Sequence, residues 1–151
     1  MKLEVVVQYA VNRRGLPRAD TVARWVKAAL KGERSQASLV IRFVGNKEIF
    51  KLNELFKGKQ AHTNVLSFPA DDAFGHNPHE LGDIVICKPV VAREAMLQRK
   101  KLRAHCAHMV VHGVMHLLGY DHVHVRDARE MERREIAILA ALGYPNPYLP
   151  A

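Results

Sequence analysis

Four histidines recur within one apolar stretch, HCAHMVVHGVMHLLGYDH, at positions 105, 108, 112 and 116, and His122 closes it. Imidazole is the commonest metal ligand among side chains and titrates near neutral pH. One buried histidine is usually a satisfied core residue, but four on one helix ask for another explanation. At ~100° per residue, side chains four apart stack on one helix face. His108 with His112, and His112 with His116, both have that spacing, and helix geometry alone does not choose between them. The residues that follow do. Gly119 stands where a helix ends in the left-handed conformation, and the chain can then turn through Tyr120 and Asp121 to bring His122 back beside His116. The expectation is a three-imidazole site, His112, His116 and His122, with an open fourth position of the kind that holds water at catalytic zinc. One zinc ion is the default occupant, although nickel, copper and cobalt would also accept these ligands. His105 and His108 read as core residues or as supports for the ligands.

The residue after the first ligand separates this site from one familiar class. A metallopeptidase helix carries Glu there as its general base, whereas this chain has Gly113. A peptidase would lack its proton acceptor, and a glycine is expected to leave room beside the metal for a bulky group such as a phosphodiester.

Several elements must position these residues. Leu3 to Tyr9 alternates and is rich in β-branched residues, predicting a strand. Val22, Trp25, Val26, Ala29 and Leu30 recur at helical spacing up to Gly32. A second strand is expected over residues 37–44. A helix follows with Asn46 as its N-cap, Ile49, Leu52 and Phe56 as its buried stripe, and Gly58 as its end. Thr63 to Phe68 reads as a strand stopped by Pro69, residues 70–81 as a loop, and Gly82 to Cys87 as a strand. Three helices complete the chain: one opened by Pro89, one over residues 102–118, and one over residues 126–142. The tail PNPYLP reads as irregular. Strand, helix, strand, helix, strand, strand and three helices predict one α+β domain over residues 1–151, a small mixed four-stranded sheet with packed helices.

Composition bounds the rest. With 151 residues, 48% of them apolar, the chain has the make-up of an ordinary folded domain. Its 23 Lys and Arg outnumber 15 Asp and Glu, giving a net charge of +8. That surplus draws polyanions, nucleic acid above all, though many soluble proteins are equally basic. Cys87 and Cys106 lack C-x-x-C spacing and lie in apolar runs, as buried thiols of a reducing compartment do. The opening MKLEVVVQYA is charged early and short, so it reads as a strand and not as a signal peptide. No uncharged apolar run approaches membrane-spanning length. The location expected on these grounds is the cytoplasm.

Three motifs in one order, TNVLSFP, GDIVIC and HGVMHLLGYDH, resemble the YbeY family, and the likeness extends from the helix around Asn46 to ALGYPNPY. The resemblance implies an α+β fold with the metal helix on a small sheet. It implies a zinc-dependent, single-strand-specific endoribonuclease of 16S rRNA 3′-end maturation and ribosome quality control, associated with the ribosome. The ligands it implies are again His112, His116 and His122. Where the family shows Arg-Gly-Lys before the TNVLSFP strand, with the Arg regarded as catalytically important, this chain reads Lys57-Gly58-Lys59. Lysine keeps the charge and loses the planar fork. On this reading Lys57 offsets phosphate charge in the transition state, and Lys59 seats the RNA backbone or is simply solvated. Asp83 and Asp121 are candidates for the base or for ligand support, with a strand-edge role and a turn-forming role as their alternatives. Asn64 and Ser67 line an RNA cleft or serve structural hydrogen bonds. From a different class, a metal-stabilised ribosome-assembly factor with little catalysis would share these features.

Overall fold

The computed structural model describes residues 1–58, 63–70, 77–120 and 123–150. In chain order the elements are β1 (Lys2–Tyr9), α1 (Ala19–Leu30), β2 (Gln36–Val44), α2 (Asn46–Lys57), β3 (Val65–Pro69), β4 (Glu80–Cys87), α3 (Lys88–Leu97), α4 (Leu102–Leu117) and α5 (Val125–Ala141). The sheet order is β1-β2-β4-β3. β1 pairs with β2, and β2 with β4, in parallel. β3 runs antiparallel along β4 as an edge strand. The fold is therefore a mixed α+β arrangement, as expected.

The strand alternation divides the core into two. Ile41, Phe43, Ile84 and Ile86 face α1, α4 and α5 and join Trp25, Val110, Val114 and Met131 in the larger cluster. Val44, Leu66, Val85 and Cys87 face the other way and meet Ile49 of α2. Burying such side chains contributes about 1.5–3 kcal/mol each, an upper estimate because denatured chains already bury some. The central helix owes its place to this. Leu102–Leu117 is buried almost continuously from His105 onward, because it packs against β3, β4, α1, α3 and α5, while α2 lies across the sheet.

Two local expectations fail. Asn46 does not cap α2: Gly45 occupies the N-cap, and the Asn46 side chain instead accepts a hydrogen bond from the Cys87 thiol at 3.5 Å. Phe56 is not part of the buried stripe but 64% exposed. It lies on the last turn of α2, where its ring makes an edge-type contact with Phe68. The fourth strand also begins earlier than read, at Glu80, because Ser38 of β2 offers pairing before the bulge next to Leu39.

Both cysteines are buried and unpaired. Burial pushes the Cys106 thiol up to about 12, so almost no thiolate exists at pH 8. In the native protein iodoacetamide is expected to leave Cys106 unmodified while denatured protein reacts at once, read by mass spectrometry. Equal rates in the two states would contradict the buried placement.

Candidate metal centre

The four histidines of α4 divide by exposure. His105 and His108 are buried, whereas His112 and His116 are half-buried, as ligands beside an open coordination position would be. The Nε2 atoms of His112 and His116 lie 3.1 Å apart. Two zinc–nitrogen bonds of ~2.0–2.1 Å at a tetrahedral angle span about 3.4 Å, so the pair is close to a ligand geometry. The other nitrogen of His112 decides its tautomer. Nδ1 sits 2.9 Å from Oε2 of Glu135, and an ionised carboxylate only accepts, so Nδ1 carries the proton. Nε2 is left with its lone pair directed at His116, the arrangement by which outer carboxylates orient metal-binding imidazoles.

Glu135 is fully buried. Its other oxygen receives hydrogen bonds from His108 Nε2 at 2.8 Å and from the Tyr148 hydroxyl at 2.6 Å. Burial by itself would raise this carboxyl, but the donors His108, His112 and Tyr148 outweigh burial and hold it at about 2. Burial and the carboxylate together push the Tyr148 phenol well above its ordinary value. Glu135 is thus a permanent anion that three donors share. Ligand atoms of His108, His112 and Glu135 all lie within 4.8 Å of one another and could hold a metal ion. As the contacts stand they are hydrogen bonds.

The helix reaches the sheet by close backbone approach. A Cβ on Gly113 would lie 2.8 Å from Cγ2 of Ile84. The expectation that this glycine leaves space beside the metal is therefore corrected: Ile84 of β4 already fills that space, and Gly113 serves packing. Its carbonyl also accepts a hydrogen bond from Ser67 Oγ at 3.3 Å, which ties edge strand β3 to α4. At the far end Gly119 has φ +99°. Its N–H bonds to the His116 carbonyl and that of Tyr120 to the Met115 carbonyl, both at 3.0 Å. This is the Schellman pattern expected at that position. Tyr120 then donates to Glu33 at 2.8 Å, and Arg134 pairs with the same Glu33 oxygen at 2.7 Å.

The remaining sequence candidates scatter. Asn64 donates to Glu94, which also binds His105, so both its amide and Ser67 serve internal hydrogen bonds. Asp83 pairs across β3 with Phe68, a side chain of the α2 face, so the sheet stands between Asp83 and α4. Burial, then the charge of Glu80, raise its carboxyl. Lys57 holds its ammonium 5.4 Å from the centre of the Phe68 ring, also on that face. Lys59, Asp121 and His122 lie outside the described residues. Sequence reading missed Glu135 and Tyr148. For Glu135 a signal existed: Met131, Glu135 and Leu139 are spaced by four, and all three are buried.

The sequence profile of the endoribonuclease YbeY family matches residues 11–143. The chain belongs to that family. A YbeY endoribonuclease of Stenotrophomonas maltophilia is 51% identical over 98% of this chain and 94% of its own length. One from Xanthomonas axonopodis is 50% identical with the same coverage, and one from Nitrosococcus oceani is 46% identical over 98% of each chain. The solution structure of TM1509 from Thermotoga maritima superimposes with a TM-score of 0.63 at 23% identity, over 89% of this chain and 86% of that one. At that identity the likeness shows the fold alone. No helix among the described residues is long and apolar enough to cross a membrane.

Proposed function

We propose that the chain is a metal-dependent endoribonuclease that cuts single-stranded RNA, with one zinc ion held by His112, His116 and His122. The observation that carries this reading is the convergence of the His112 and His116 Nε2 atoms at 3.1 Å, with the His112 tautomer set by buried Glu135. A bound zinc ion would supply a Lewis acid for a phosphoryl oxygen or an acidified water. The chain's own residues do the remaining work. Glu135 keeps the His112 lone pair presented and its ring fixed. The surplus of cations, +8 overall, concentrates the polyanionic substrate. Lys57, on the α2 face beside Phe68, would meet the RNA backbone away from the metal, as a point cation. Membership of the YbeY family supports an RNA substrate, and on this reading the single domain works in the cytoplasm on 16S rRNA 3′-end maturation and ribosome quality control, bound to the small subunit.

Lys57 also supports the second reading, an assembly factor with little catalysis, since it replaces a forked cation with a simple one. Purified protein given an unstructured RNA separates the two. Cleavage is expected, and is lost both with chelator and in His116→Ala. Cleavage unchanged in both controls would sink the enzyme reading. Absent cleavage with retained co-sedimentation on small subunits would favour the assembly factor.

A further inference from the structure

Beside the N-terminal half of α4 lies a cavity of about 450 Å³, within the range of ordinary ligand sites. Its apolar lining is Ala104, Leu139, Tyr144, Pro145 and Leu149. Its rim carries four cations, Arg99, Lys100, Lys101 and Arg103. Lys100 donates to the Pro147 carbonyl and Arg103 to the Tyr144 hydroxyl. Among the described residues none of the four pairs with a carboxylate. Four unneutralised cations around an apolar lining suit a ligand that is anionic at one end and flat and apolar at the other.

The backbone at the rim adds a second sign. Arg99 has φ +55° and is the one non-glycine residue with positive φ among those described. The Arg99 N–H bonds to the Met96 carbonyl and that of Lys100 to the Ala95 carbonyl, so Arg99 fills the helix-ending position where glycine is usual. A cation sits where the backbone favours a residue without a side chain. The cavity also adjoins the metal centre. His108 lines it, and its ring meets that of His112 edge-on at 6.0 Å. Ala104 lies ~12 Å along the helix axis from His112.

We infer that this cavity is a second RNA subsite, which takes one nucleotide of a single strand running on to the metal centre. The base lies on the Tyr144, Pro145 and Leu149 lining, and Arg99, Lys101 and Arg103 hold the adjoining phosphates. This rests on RNA being the substrate, and the test keeps the two questions apart.

Binding of a fluorescein-labelled unstructured oligoribonucleotide would be measured with the full chain in chelator, so that no cleavage intervenes. The triple variant R99A/K101A/R103A is expected to bind at least about tenfold more weakly, with the salt slope reduced by about 2. Ala104→Trp, which fills the apolar part and leaves the cations, is expected to lose about fivefold or more at an unchanged slope. Should Ala104→Trp fail to fold, wild-type protein is titrated with AMP and with ribose 5-phosphate while the Ala104 and Tyr144 amide signals are followed. Shifts with AMP alone support the base site. Both variants binding RNA within twofold of wild type, equal shifts with the two small ligands, or displacement of RNA by polyglutamate at equal charge would overturn it. Failure of the enzyme reading looks different: wild type binds the RNA and, reloaded with zinc, leaves it intact.

Discussion

Replacing Glu135 with glutamine is expected to weaken zinc binding by about 10- to 100-fold, the usual range for the outer partner of a metal-binding histidine. The carboxylate accepts from His108, His112 and Tyr148 at once. An amide of the same shape can accept on one side only, and its NH₂ group then faces an imidazole N–H. One ring must change tautomer or lose its bond, and a changed His112 directs a proton at His116. Chelator competition reads the affinity, and ¹⁵N histidine spectra read the tautomer directly. Wild-type affinity with an unchanged spectrum would remove Glu135 from the site's design. Truncation to alanine goes further, leaving buried donors unanswered at a cost of about 3–5 kcal/mol in stability. The acid limb should follow the same residue. Its pKa is held at about 2 in the fold, below the ordinary carboxyl value of about 4.3. The stabilisation is therefore complete above about pH 5 and is lost as pH falls towards 2. In the metal-free protein Glu135→Gln should flatten that decline.

Introducing the peptidase glutamate, Gly113→Glu, should abolish folding rather than create a protease. The first added carbon already lies 2.8 Å from Ile84 Cγ2, and Ile84 is fully buried in β4. A carboxylate there would enter the core without a partner, at several kcal/mol. Gly113→Ala isolates the steric part. Overpacking costs about 1–3 kcal/mol, offset by up to about 1 kcal/mol of helix propensity. Pairing it with Ile84→Ala should make the two losses less than additive, since each relieves the other. Thermal melts of the three variants decide. A Gly113→Ala protein as stable as wild type would show that helix and sheet can part at this point.

Much of this was legible from spacing. The helices of Trp25 and Ile49, the valine strand, the left-handed turn at Gly119 and the strip of histidines all follow from periodicity and glycine chemistry. What escaped did so for physical reasons. Glu135 is a charge on a buried face, and a hydropathy pattern treats a charge as the end of a face. Only its four-residue spacing from Met131 and Leu139 speaks for burial. Tyr148 reaches Glu135 from an irregular tail, and nothing local marks such a long-range bond. Gly113 was misread because a missing side chain fits either an open space or a tight contact, and only the position of Ile84 separates them. The α2-face placement of Lys57 and Asp83 depends on which strands pair, which periodicity does not carry.

The clamp at Tyr120 has a thermodynamic consequence. Glu33, from the turn after α1, holds Tyr120 at 2.8 Å, and Arg134 of α5 holds Glu33. The residues just beyond α4 therefore depart from a fixed anchor, and the proposed ligand at position 122 is two residues along. Placing a ligand two residues from that anchor involves few rotatable bonds. Metal loading should then be accompanied by little change in heat capacity, and should slow hydrogen exchange at a handful of amides rather than across the fold.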